Sequence, residues 1–289
     1  MLECPDDRLA KYLSVTAPEF AALRRRFRED GVVKLTGALD RDRLDQARAC
    51  YDWSLEHPGP YGHGGGWLEG GTQTFEDKAN PVAATIYQGF LKHSPLAKLA
   101  AGLWGSDDIW FMYEQVFRKW GACQRTPWHQ DSSYLAIDGN HLIVFWFNFA
   151  PVPKSESLEF VRGSHRGPLY NGSTFNLDDP TEPLYPGGQL PRLPDVDGAP
   201  GDWDIVSWAV EPGDVIAFHP AVLHGGGATT DAITDANMDA KRETLSLRFF
   251  GSDATYATRP GPCGPRVAGL HKCLNHGDPF RHPAFMKLS

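Results

Sequence analysis

With 289 residues, 41% of them hydrophobic and 22% charged, the chain reads as globular and is large enough to bury a substantial core without staples. A net charge of −8 disfavours nucleic acid and membrane as main partners, because anionic surfaces reward a basic face. Five scattered cysteines with no C-x-x-C pair suggest neither a disulfide framework nor a structural zinc site; with no leader pattern and no long apolar run, the expected location is cytoplasmic.

The first third reads as helical. Thr16-Ala-Pro-Glu19 is a capping box opening a helix over about 17–29, and Gly31 stands where a C-cap belongs. Phe20, Leu23 and Phe27 recur at helical spacing, so the run Arg24, Arg25, Arg26 and Arg28 is the wet face of an amphipathic helix. GVVKL follows as a short strand. A second helix begins after Asp40, carries Leu44, Ala47, Tyr51 and Leu55 along one side and stops at His57-Pro58-Gly59. Residues 59–67 read as flexible loop, and a helix pair over about 81–104 is broken at Pro95 and closed by Gly105.

From residue 108 the pattern changes to strands: 108–120, 141–150, 157–161, 203–210, 214–219 and 243–251 are β-branched and aromatic runs bounded by Pro, Gly and Asp. Short strands without intervening helices give a mainly β fold with flanking helices, a jelly roll. One domain over 1–289 is expected, with helical support over about 16–105 and a jelly-roll core over about 108–251. Residues 167–202 are too long and too rich in Pro, Gly and Asp for a turn, and form either a lid or a disordered insertion.

Chemistry concentrates at His129-Gln-Asp131. On a strand, residues i and i+2 share a side, so an imidazole and a carboxylate can meet one point. His224, in a glycine-rich turn just past a strand, is the best third partner. Two histidines and one carboxylate with open opposite positions form the arrangement of non-haem Fe(II) oxygenases. His219 competes with His224 but ends a strand beside Pro220 and reads as structural; His141 and His165 read as loop or surface residues.

The motifs PWHQD, LEFVRGSHRG, EPGDVIAFHPAVLHGGG and RETLSLRFFG, in this order, resemble the phytanoyl-CoA dioxygenase family of Fe(II)/2-oxoglutarate oxygenases over residues 20–260. The resemblance implies a double-stranded β-helix, a form of jelly roll, that consumes 2-oxoglutarate and O2 and yields succinate, CO2 and usually a hydroxylated product. It implies His129, Asp131 and His224 as iron ligands and Arg242 as the arginine for the distal carboxylate of 2-oxoglutarate. A planar guanidinium suits a carboxylate through two parallel hydrogen bonds. Thr244 and Ser246 share the Arg242 strand face, and Trp146 matches an aromatic position beside the cosubstrate. Gln115 and Lys119 alternate on one face of their strand, which faces either the barrel interior or, for Lys119, solvent. Arg248 is the rival, but at about 3.3 Å per residue it lies nearly 20 Å further along; it reads as a surface or end-of-barrel ion pair. The chain departs from the family in Glu156, where glycine is usual, and in a longer link from His224 to the arginine strand.

These features imply a dioxygenase oxidising a C–H bond of a small metabolite, with Trp67, Trp128, Tyr134 and the 167–202 segment as pocket walls or lid, or else as core. A free metabolite is favoured over an acyl-CoA, because no further Lys/Arg cluster is available for several phosphates. A cupin-like metal protein without 2-oxoglutarate turnover and an inactive dioxygenase-fold binding module are the alternatives.

Overall fold

The computed structural model describes residues 16–67, 73–176, 178–229 and 241–289, with backbone alone at residues 17, 65–67 and 73. Helix α1 (Ala17–Asp30) opens on the reciprocal capping box of Thr16 and Glu19 and closes at Gly31, which takes the left-handed φ of 77°. Strand β1 (Val32–Leu35) leads to α2 (Arg41–Glu56), where the Asp40 carboxylate accepts from the Arg43 N–H at 2.8 Å. Residues 63–67, read from their glycines as loop, instead form strand β2 (His63–Trp67), which pairs antiparallel with β3 (Gln73–Lys78). The neighbouring strand supplies what the local sequence lacks.

The expected helix pair is three short helices, α3 (Ala83–Ile86), α4 (Gln88–His93) and α5 (Leu96–Trp104), the last ended by left-handed Gly105. Then come β4 (Trp110–Trp120), β5 (Thr126–His129), β6 (Ile137–Asp138), β7 (Leu142–Asn148), β8 (Leu158–Val161), β9 (Ile205–Ser207), β10 (Val215–Phe218), β11 (His224–Gly226), β12 (Lys241–Phe250), β13 (Thr255–Tyr256), α6 (Leu270–Cys273) and β14 (Met286–Lys287).

The large antiparallel sheet runs β1-β10-β7-β12-β4-β3-β2, with β14 also on β4; a smaller antiparallel sheet, β5-β11-β8-β9, faces it to complete the jelly roll. Strand β12 shows how the two faces divide. Leu245, Leu247 and Phe249 point outward into a core with Phe20, Phe27, Tyr51, Leu99 and Phe145 from helices and sheet. The alternate residues Thr244, Ser246 and Arg248 are buried toward the barrel interior, where Val144 and Trp146 of β7 pack with Phe160 and Phe218. Each outward Leu or Phe removes enough apolar area from water to be worth roughly 2–3 kcal/mol. The inward polar residues contribute little of that kind, so their use lies elsewhere.

Candidate metal centre

Register brings the two histidines together. His224 on β11 pairs directly with His129 on β5, placing their rings 4.2 Å apart. Asp131 does not share the strand of His129, as the i, i+2 argument expected. It opens a 3-10 turn (Asp131–Tyr134), held by the Ser132 N–H donating to the Pro220 carbonyl at 3.0 Å. The result is the same meeting point by a different path: one ligand atom from each of His129, Asp131 and His224 lies within 4.8 Å of the others.

The hydrogen bonds of the histidines decide what they can ligate. His129 Nδ1 faces the Pro127 carbonyl and His224 Nδ1 the Val222 carbonyl, both at 2.9 Å. A carbonyl only accepts, so each Nδ1 carries the proton and each Nε2 keeps a lone pair for a metal. Burial pushes the His224 pKa down to about 3, so this imidazole stays neutral. Burial works to raise the Asp131 pKa, but Arg248 and the two histidines outweigh it and hold the carboxyl far below its usual range. Two imidazole nitrogens and one ionised carboxylate oxygen suit a divalent transition metal.

The barrel floor is polar. Arg242 donates from Nη1 to the backbone carbonyls of Glu156, at 2.5 Å, and Gly227, at 3.4 Å. Any side chain at Gly227 would meet the Glu156 backbone at 2.6 Å, so glycine permits this close approach. The Thr244 hydroxyl donates to Asn148 Oδ1 at 2.5 Å, while Asn148 Nδ2 is buried without a hydrogen-bond partner. Lys119 sits opposite Arg242 in the β4–β12 register, and burial, reinforced by Arg242, lowers its pKa to about 8. A cavity of about 250 Å³ is lined by Lys119, Asn148, Glu156, Thr229 and Arg242. Two cations and an unpartnered amide around one void are complementary to a carboxylate. Gln115 is buried and donates to Glu76 Oε1 at 2.7 Å, and Trp146 is buried in the core between the sheets.

Arg248 corrects the sequence reading. It is 5% exposed, and its Nη2 donates to Asp131 Oδ2 at 2.8 Å, so it pairs with a triad carboxylate inside the barrel rather than lying at the surface. The spacing along the strand was sound, but it says nothing of a partner arriving from another element.

At the mouth, Tyr134 stacks on Phe175 with centroids 5.8 Å apart, and both rings meet His129 edge-on at 6.2 and 5.2 Å. Phe175 is 41% exposed at φ 60°, a conformation unusual for a bulky residue. The Tyr134 hydroxyl donates to the Ser173 carbonyl and accepts from the Ser173 N–H, both at 2.8 Å. Between 167 and 202, Tyr185, Leu193 and Val196 are buried, so the described residues there form a packed wall and not a disordered insertion. Trp128, expected in the pocket, alternates with His129 on β5 and points the other way. It packs with Val161, Leu193 and Val196, and its Nε1 donates to Asp197 at 2.8 Å. The Trp67 side chain lies outside the described residues.

His219 lies apart from the triad: its Nε2 donates to the Gly139 carbonyl at 2.9 Å and its Nδ1 accepts from the Ala221 N–H at 3.1 Å. The sequence reading missed Asn148 and Phe175. Asn148 carried a usable signal, the one amide at the end of an apolar strand, two residues from Trp146; Phe175 carried none.

The sequence pattern of the phytanoyl-CoA dioxygenase (PhyH) family matches residues 27–234. Peroxisomal phytanoyl-CoA dioxygenase of Rattus norvegicus is 26% identical over 146 residues, which cover 50% of this chain and 39% of that protein. The chain thus matches well under half the length of that relative. Among solved structures, the epimerase SnoN in complex with Fe3+, alpha ketoglutarate and nogalamycin RO superposes with a TM-score of 0.66 at 20% identity, covering 94% of this chain and 99% of that one. The non-heme alpha ketoglutarate dependent carbocyclase SnoK from nogalamycin biosynthesis superposes with a TM-score of 0.65 at 22% identity, covering 92% and 95%. Among the described residues no helix is long and apolar enough to cross a membrane.

Proposed function

This chain belongs to the phytanoyl-CoA dioxygenase family, and from that premise we propose that it is an Fe(II)- and 2-oxoglutarate-dependent oxygenase acting on a C–H bond of a small metabolite. The observation that carries the reading is the convergence of His129, Asp131 and His224 within 4.8 Å, with both Nε2 atoms free to ligate. These three residues would hold Fe(II). The metal together with 2-oxoglutarate would supply the oxidising chemistry with O2, giving succinate and CO2.

The other residues bind, orient and exclude water. Arg242 anchors the distal carboxylate of 2-oxoglutarate, helped by Lys119 and by the Asn148 amide that the Thr244 hydroxyl orients through Oδ1. Trp146 packs beside the cosubstrate, and Gln115, fixed by Glu76, presents a polar edge to the interior. Phe160 and Phe218 wrap His224 and keep water from the buried side of the metal. Tyr134 and Phe175 cover the other side, and the 167–202 segment serves as a wall that completes the substrate pocket. The stacked rings favour a free molecule with a flat or apolar portion.

The neighbours, an epimerase with Fe3+ and alpha ketoglutarate and an alpha ketoglutarate dependent carbocyclase, support an iron and 2-oxoglutarate site in this fold while differing in outcome. The test is oxygen-dependent conversion of 2-oxoglutarate to succinate by the Fe(II)-loaded protein with a metabolite library. Conversion stimulated by one library member supports the reading, and no conversion in any mixture with the metal bound refutes it.

A further inference from the structure

The Arg248–Asp131 pair belongs to the metal centre and has a chemical consequence of its own. Asp131 presents its two oxygens to different partners. Oδ1 lies 3.7 Å from His129 Nε2, on the side where the three ligand atoms converge. Oδ2 is turned toward Arg248 Nη2 at 2.8 Å. The arginine is itself held in place: it projects inward opposite Tyr113 and Val144, its guanidinium stands 4.8 Å from the centroid of the Tyr113 ring, and a register shift in β12 follows immediately. Its Nε and Nη1 are buried without hydrogen-bond partners. Burying a cation with two donors unanswered is unfavourable, and a shorter or apolar side chain would avoid it, so packing alone does not account for this residue.

A carboxylate binds a metal through one oxygen or through both. Two-oxygen chelation by Asp131 would fill a position that a facial triad needs to leave open. We infer that Arg248 is a positioning residue that occupies Oδ2 of Asp131, restricts this ligand to the single oxygen Oδ1, and thereby keeps a coordination position free for the cosubstrate and O2. The inference rests on the iron-binding reading above. A guanidinium this close to a ligand carboxylate opposes a bound dication electrostatically. Its contribution is therefore the geometry of the ligand and not metal affinity.

Co(II) alone, added to the whole protein, tests this, because its visible absorption changes intensity with coordination number. Arg248→Met is expected to bind Co(II) at least as tightly as wild type, to show an altered Co(II) spectrum before any 2-oxoglutarate is present, and to bind 2-oxoglutarate about tenfold or more weakly once loaded. Arg248→Lys, which keeps a charged donor for Oδ2, is expected to restore the wild-type spectrum. A direct contact between Arg248 and the cosubstrate would leave the Co(II)-only spectrum of Arg248→Met unchanged. A purely structural role would cost it Co(II) affinity. Either result overturns the inference, as does a Lys variant that behaves like Met. If Arg248→Met fails to fold, Arg248→Leu, which likewise offers Oδ2 no donor, is read by the same criteria. A wild-type protein that takes up no Co(II) or Fe(II) would refute the proposed function instead.

Discussion

Arg242 and Arg248 leave the same face of β12 six residues apart and meet different surroundings. Arg248 donates to a carboxylate of the protein, Asp131, beneath the aromatic mouth. Arg242 donates to two backbone carbonyls and lies in a void beside a second cation, Lys119, whose pKa it helps to depress. Arg248 is held by a carboxylate at 2.8 Å, whereas Arg242 is bonded to backbone carbonyls, feels the charge of Glu156 and borders a cavity. On the proposed reading, one interior strand face would carry both an ion pair at the metal and a receptor for the cosubstrate carboxylate, with depth along the barrel separating the two.

The comparison breaks first at the triad. His129→Ala, Asp131→Ala and His224→Ala should each abolish Fe(II)-dependent turnover, with losses of roughly a thousandfold or more, while His219→Ala keeps iron; metal content after gel filtration with turnover assays decides. Loss of iron from His219→Ala with retention by His224→Ala would exchange their roles. The outer face of the strand gives the contrasting result. Phe249→Ala should cost about 3–5 kcal/mol in denaturant unfolding, while the folded fraction binds metal and cosubstrate as before.

At the receptor end, Arg242→Ala should raise the KM for 2-oxoglutarate by roughly a hundredfold, the worth of a charged, bidentate contact, while iron stays bound. Weakening of equal size in Lys119→Met would move the anchor from Arg242 to the pair. The smallest effect concerns pH. Burial lowers the His219 pKa from 6.5 to about 4, so between these values the unfolded chain takes up a proton that the folded chain does not. Stability is then full above about pH 6.5 and falls, by on the order of 1–3 kcal/mol, as pH drops toward 4. Denaturant unfolding of wild type and His219→Gln across this range checks it, the variant showing the flatter profile.

Much of this was legible in the residues. The Thr16–Glu19 box, Gly31 and Gly105 mark helix ends by local chemistry, and the β-branched runs mark the strands by period. The triad could be named because H-x-D and His224 sit in recognisable surroundings. The pairing of β2 with β3 could not be read, because glycines that look like loop become strand only against the edge of β3, itself laid on β4. Trp128 was misplaced although the alternation that turns His129 inward turns its neighbour outward, a consequence of strand geometry left unapplied to this residue. Arg248 was misjudged because its partner lies 117 positions away in sequence, and no strand pattern reports a contact made across the barrel. Phe175 holds its place through backbone geometry that its neighbours impose.

The central claim is that the triad holds Fe(II) with a position open for 2-oxoglutarate, whose far carboxylate reaches Arg242. Anaerobic titration of the Fe(II)-loaded protein with 2-oxoglutarate, followed in the visible region, tests it most directly. The account predicts a charge-transfer band that saturates at one 2-oxoglutarate per chain, is absent in Asp131→Ala, and appears in Arg242→Ala only at much higher 2-oxoglutarate. Iron bound at the triad with no such band at any concentration would contradict it.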